Sequence, residues 1–292
     1  MLRLIERPAT DALVRVPPSM YAIVSWNSDA PAGEIALIAQ NADGTVSKPL
    51  PYVRWSPAKR RSESGSDSAA RIEVDVVRSD VALVALGIAS SAELDAVAVA
   101  LPPEPAARVA ACTATAQLDV PRISQYSAAS PGERGWCSAA ATAMLLRYHG
   151  VAAELAETAR GVYDDAYGGT GNWAFNAAYA GACGLRGAVA YLCGIDHVAA
   201  FIDAGLPVAI SVSWNAGELP GAPLEHSEGH LLVVRGVDGS HVAVNDPAHP
   251  SVATRYPRAA LDRVFRAHGG VAYLVAPRAR TAELLALANE PS

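Results

Sequence analysis

Three prolines in four residues, Pro102-Pro103-Glu104-Pro105, constrain this chain more than any other feature. Proline lacks the amide donor that a ladder or helix needs and restricts the residue before it, so regular structure must stop there. The textures on the two sides differ. Before the stop, apolar runs such as Tyr21 to Trp26 and Glu34 to Gln40 are cut by turn formers, among them Asp43-Gly44, which suits a hairpin. Arg71 to Val77 alternates Ile72, Val74 and Val76 with Glu73 and Asp75, the period of a strand with one wet face. After the stop, alanine-rich helical stretches alternate with apolar strands. At 292 residues the chain is long for one core. The expected organisation is residues 1–112 as an antiparallel β-sandwich with its linker, 113–277 as an α+β domain, and 278–292 as a C-terminal tail. Because the linker precedes all of the second part, that part is expected to fold without the first.

Charge and composition remove several function classes. A net charge of -6 leaves no basic stripe for a phosphate backbone, so nucleic acid is not an expected partner. Lys59-Arg60-Arg61 runs into a polar, serine-rich stretch and reads as a solvated loop. Arg3, Glu6, Arg7 and Asp11 break the apolar core that a signal peptide needs, and Glu93 and Asp95 interrupt the run from Val81 to Leu101 before it could span a bilayer. A cytoplasmic protein without a membrane segment is expected, with other export routes left open. Cys112, Cys137, Cys183 and Cys193 form no C-x-x-C pair, so free thiols are expected, a Cys183–Cys193 bridge being the one alternative. His226 and His230 are spaced like metal ligands, but no carboxylate or thiol completes a set, and neither a metal nor a cofactor is implied.

Chemistry enters with Cys137. Ser138 to Tyr148 carries Ala141, Met144, Leu145 and Tyr148 at helical spacing, and Gly150 supplies a stop, so Cys137 stands at a helix N-terminus. The unpaired amides and dipole there favour a thiolate, which is the nucleophilic form. The same segment also fits a small buried core cysteine. A base must come from elsewhere. His149 ends the helix that Cys137 begins and is too far away, while His197, His249 and His268 are expected at the surface. His230 opens the apolar run Leu231-Leu232-Val233-Val234, and Asp238-Gly239 turns the chain back through His241 to Asp246. A hairpin folded there brings Asp246 opposite or diagonal to His230, where a carboxylate would fix the imidazole tautomer and stabilise its cation. Gln125, upstream of Cys137, could join the Cys137 amide in an oxyanion hole.

Leu118-Asp119-Val120-Pro121 with Ser124-Gln125, Trp136-Cys137-Ser138, Tyr167-Gly168-Gly169-Thr170-Gly171-Asn172-Trp173, Gly229-His230-Leu231-Leu232 and Val244-Asn245-Asp246-Pro247 follow one another in an order that resembles a known family. It is that of the bacterial papain-like cysteine peptidases of family thirty-nine, the bacteriocin-leader peptidases, and especially their stand-alone relatives, over residues 117 to 277. The resemblance implies Cys137 as nucleophile, His230 as general base, Asp246 as its orienter and Gln125 as oxyanion donor. It implies substrate contacts at Trp136, Gly169, Asn172 and Gly229, a peptide or protein substrate, and a front β-sandwich, for which a glycan or protein ligand is left open. The 128–134 loop between Gln125 and Cys137 is expected to bulge outward. Leader peptidases are fused to transporters, whereas this sequence has neither a membrane span nor a G-x-x-x-x-G-K-[ST] loop, so leader cleavage during export is not expected. Two other readings stay open: acyl transfer by the same residues, and an inert papain-like scaffold behind a binding domain.

Overall fold

The computed structural model describes residues 1–103, 116–126 and 135–289. Most of the expected linker, Cys112 and the 128–134 loop lie outside the described residues. The front of the chain forms β1 (Leu2–Glu6), β2 (Asp11–Asn27), β3 (Gly33–Asn41), β4 (Leu50–Trp55), β5 (Arg60–Ser62), β6 (Arg71–Glu73), β7 (Val76–Ser90) and β8 (Ala96–Ala100). They pair antiparallel in the order β1-β8-β2-β7-β3-β4-β5, with β6 alongside β7. Pro17 and Pro18 cannot donate to a ladder, and the β2–β7 register shifts between Arg15 and Ser19 where they lie. The buried set Trp26, Leu37, Tyr52, Leu86 and Val99 forms the core of this part.

Arg71 to Val77 is not one strand. The chain reverses at Val74-Asp75, so the alternating segment becomes the tip of the β6–β7 hairpin. A contact remote in sequence fixes the turn: the Asp75 carboxylate accepts the Trp173 amide at 2.8 Å.

The back half runs α1 (Cys137–Tyr148), α2 (Leu155–Val162), α3 (Trp173–Ala182), β9 (Leu185–Tyr191), α4 (Ile195–Asp203), β10 (Val208–Trp214), β11 (Ser227–Val237), β12 (His241–Asn245), β13 (Ala253–Pro257), α5 (Arg258–Ala267), β14 (Val271–Pro277) and α6 (Thr281–Ala288). Its six strands are antiparallel in the order β13-β12-β11-β10-β14-β9. Helix α1, with Met144, Leu145 and Leu146 fully buried, packs on Leu231, Val233 and Val275. Helices α4 and α5 place Phe201, Ile202, Leu261 and Phe265 in a second cluster with Leu232, Val234 and Leu274. This is the expected α+β arrangement of a cysteine-bearing helix on an antiparallel sheet. Residues 278–292, expected as a tail, include α6, whose Leu284 is buried, and Asn289 exchanges hydrogen bonds with the Leu2 backbone.

The two halves share apolar clusters: Ile23, Ala98 and Ala100 pack with the back sheet, and Phe175 of α3 joins the front core. Asn27, fully buried, donates to Gly187 O (2.9 Å) and Ala177 O (3.3 Å) and accepts from Arg186 Nη1 (3.1 Å). Gly181 permits this, because a Cβ there would come within 2.6 Å of the Asn27 side chain.

Candidate active site

Cys137 is the first residue of α1, and no side chain caps that helix end. Its amides are therefore available to an anion at the helix start. Burial pushes the thiol up, but a hydrogen bond and the charge of His230, with the Leu231 and Ser138 amides, outweigh it and leave the thiol below its ordinary range. Beneath it Ser138 and Tyr273 hydroxyls meet at 2.9 Å, fixing the start of the helix on β14.

The expected hairpin forms with one change. Val233 pairs with Asn245, and a bulge between Val234 and Gly236 shifts the register, so Asp246, just past the end of β12, falls diagonal to His230. His230 Nε2 lies 2.7 Å from Asp246 Oδ1, and both residues are buried. With Nε2 held there, Nδ1 is the nitrogen left for the thiol. Burial pulls the imidazole down, but its bonds to Asp246 and Cys137 raise it well above its ordinary value. Asp246 is buried too, which pushes its carboxyl up, yet His230, the Tyr256 hydroxyl and the Ala248 amide hold it below the usual range. Tyr256 Oη donates to Oδ2 at 2.6 Å and Ala248 N to Oδ1 at 2.9 Å.

Gln125 is 8% exposed and lines a pocket of about 370 Å³ together with Cys137, Gly229 and His230. Among the described residues its Oε1 has no hydrogen-bond partner, while its backbone amide is fixed on Pro247 O at 3.0 Å. Trp136, Gly169 and Gly229 line a groove of about 860 Å³ on Cys137.

Asn172, expected in the same role, is elsewhere. It is buried at the start of α3, where Oδ1 accepts the Phe175 amide and Nδ2 donates to Asp164 Oδ2, so both ends of its amide serve the loop and helix. It is the N-cap of α3, which accounts for the residue. The Thr142 hydroxyl donates to Asn176 Oδ1, Asn176 Nδ2 to Thr170 O and the Thr170 hydroxyl to Gly135 O, which ties this glycine-dense loop to α1 and to the residues before the thiol. Of the histidines expected at the surface, one is buried and another is half-buried. His197 is buried with Nε2 on Leu287 O, and His268 lines the groove edge-on to Trp173. Cys137, Cys183 and Cys193 are free thiols.

A thiol lowered by an imidazole, which is in turn held by a carboxylate, at the start of a helix is equipped to attack a carbonyl. Residues 117–273 match the model described as the Peptidase_C39-like family. The chain belongs to that family. It is accordingly a cysteine-type peptidase. Among solved structures it is similar to a C39-like peptidase from Bacillus anthracis, at 18% identity and TM-score 0.45 over 56% of this chain and 98% of that one. A double glycine motif protease from an AMS/PCAT transporter, in complex with the leader peptide, is similar at 21% identity and TM-score 0.39 over 56% and 96%. The peptidase domain of Streptococcus ComA, a bifunctional ABC transporter in a quorum-sensing pathway, matches at 20% and 0.39 over 56% and 98%. No curated protein matches. Among the described residues, no helix is long and apolar enough to cross a membrane.

Two residues at the site of this family member escaped the sequence reading. Tyr256 is the third donor to Asp246, and the indole of Trp214 stands edge-on to the His230 ring at 5.7 Å, covering the imidazole from water. Trp214 ends β10, and the β10–β11 pairing, Val212 against His230, puts it on the imidazole.

Proposed function

We propose that Cys137, His230 and Asp246 act as a triad that hydrolyses peptide bonds, with the Cys137 amide and the Gln125 side chain as oxyanion donors. What carries the reading is the 2.7 Å bond from His230 to a buried Asp246, which leaves the opposite ring nitrogen for a thiol at a helix N-terminus. His230 takes the thiol proton, and the thiolate adds to the scissile carbonyl. The C=O electron pair moves to an oxygen that accepts from the Cys137 N–H and the Gln125 amide. The intermediate then collapses, the C–N bond breaks, and His230 gives its proton to the departing amine. Water, deprotonated by His230, attacks the thioester, and the C–S bond breaks to release the acid and restore the thiol. Throughout, Asp246 stabilises the imidazolium without taking its proton.

The test is alkylation by limiting iodoacetamide across pH, read by mapping the modified cysteine, alongside Cys137→Ala. Preferential labelling of Cys137 below pH 7 is expected. The alanine variant should lose peptide hydrolysis while its stability changes by about 1 kcal/mol or less, because one sulfur facing a groove contributes little burial. Uniform slow labelling of Cys137, Cys183 and Cys193, or hydrolysis surviving in Cys137→Ala, would overturn the reading.

A further inference from the structure

The larger groove on Cys137 has walls from both halves of the chain. The back half gives Trp136, Trp173 and Glu228; the front sheet gives Glu73 to Val76, the tip of the β6–β7 hairpin. That tip is built under constraint. Val74 has φ +58, a conformation that a β-branched side chain adopts only where its surroundings hold it. They do so here: the Asp75 carboxylate accepts the first amide of α3, and the Tyr52 hydroxyl donates to Asp75 O at 3.2 Å. The front sheet is thereby fixed in place beside the thiol.

The charges in this groove do not balance. Glu73 is paired with Arg71 and Arg78, and Arg78 also lies over the Tyr21 ring. His268 is pushed down by burial, which favours the neutral ring. Asp75 is 6% exposed, and among the described residues neither it nor the exposed Glu228 has a cationic partner. A buried carboxylate without a countercharge is unfavourable, and Trp136 and Trp173 line the same groove, where indole faces attract cations. Two unmatched carboxylates among indoles make a receptor for a cationic nitrogen.

We propose that the hairpin tip, through Asp75, together with Glu228 forms a specificity subsite of the peptidase groove for a cationic group of the peptide substrate. This rests on Cys137 being the nucleophile. The cation has two sources with the same chemistry, a lysine or arginine side chain and the α-ammonium of a short peptide. The sequence that read as a separate binding domain thus contributes its hairpin to choosing what the thiol cuts.

Matched acetyl-dipeptidyl chloromethyl ketones carrying lysine, norleucine or glutamate beside the residue that bears the warhead test this on the full chain. A norleucine probe with a free α-amine is the fourth reagent, and the readout is the rate of Cys137 labelling by mass spectrometry. The lysine probe, the free-amine probe or both should label about tenfold faster than acetylated norleucine, and glutamate slowest; which of the two is faster names the source. Asp75→Asn or Glu228→Gln should each reduce that ratio, and the double variant should bring it near one. Glu228 is exposed, so Glu228→Lys should fold and shift preference toward glutamate. Equal rates for all four probes overturn the subsite while Cys137 remains the nucleophile. Labelling of Cys137 no faster than that of Cys183 and Cys193 overturns the nucleophile, and the subsite with it.

Discussion

Asp246 keeps a charge inside the protein because His230, Ala248 and Tyr256 all donate to it. Removing the Tyr256 hydroxyl leaves Oδ2 buried without that donor, which typically costs about 1–3 kcal/mol. For Tyr256→Phe we expect a lower melting temperature and a carboxyl closer to its ordinary value. The sign follows from linkage: a carboxyl lowered by folding contributes stability above its unfolded value near 3.8, and loses it as pH falls through the folded value. In the variant the folded value is higher, so the loss still begins near 3.8 but is smaller and complete at higher pH, and the acid limb of activity moves up with the carboxyl; melting and kcat/KM against pH check both. An acid limb left in place would mean that Tyr256 only packs. Cys137, His230 and Asp246 were legible because a helix start and a single turn relate them. Tyr256 and Trp214 were not, because β12–β13 and β10–β11 pairings bring them in, and no local spacing records those.

At the scale of elements, the β6–β7 hairpin shows where periodicity misleads. Ile72, Val74 and Val76 alternate as a strand should, and the chain nonetheless turns at Val74-Asp75, since the Asp75 carboxylate accepts the amide of Trp173 at the start of a helix 98 residues later. Burial, with the Trp173 amide opposing it and Asp164 nearby, raises that carboxyl to about 7. Between the ordinary value of 3.8 and about 7 the folded state holds a proton that the unfolded chain has lost. Stability therefore falls as pH rises through that window. Asparagine can still accept the Trp173 amide and carries no charge. Asp75→Asn should accordingly melt higher than the parent chain above pH 7, with the difference shrinking toward pH 4; a constant difference across pH would mean that Asp75 does not titrate in this window. Such a cost in the unliganded protein suits a carboxylate kept for a substrate cation.

Over the whole molecule, the proline run marks a change of texture, and the two halves on either side of it share buried contacts. A break in regular structure is visible in sequence, whereas the surface across which two sheets meet is distributed over single residues. Ser25 and Asn27 on β2 read only as polar positions in a strand; in the fold the Ser25 hydroxyl accepts the Val189 amide at 3.1 Å, and Asn27 meets Ala177, Arg186 and Gly187. Arg186, 3% exposed, also pairs with Glu6 of β1. Cutting the chain at the linker would leave this guanidinium, two carbonyls and the Val189 amide without their front-half partners, and would expose the apolar surface that Ile23, Ala98 and Ala100 cover. Water can replace the lost polar partners once this surface is open, so the cost lies in the apolar area left uncovered, about 25 cal/mol for each Å². We therefore expect residues 116–289 alone to be insoluble or to melt without cooperativity, against the expectation drawn from the linker. The full chain should unfold in one calorimetric transition, and Asn27→Ala should lower that single transition rather than split it. Two separable transitions in the full chain, with the later one reproduced by the excised half, would show that the shared interface adds little and that the prolines do divide the molecule.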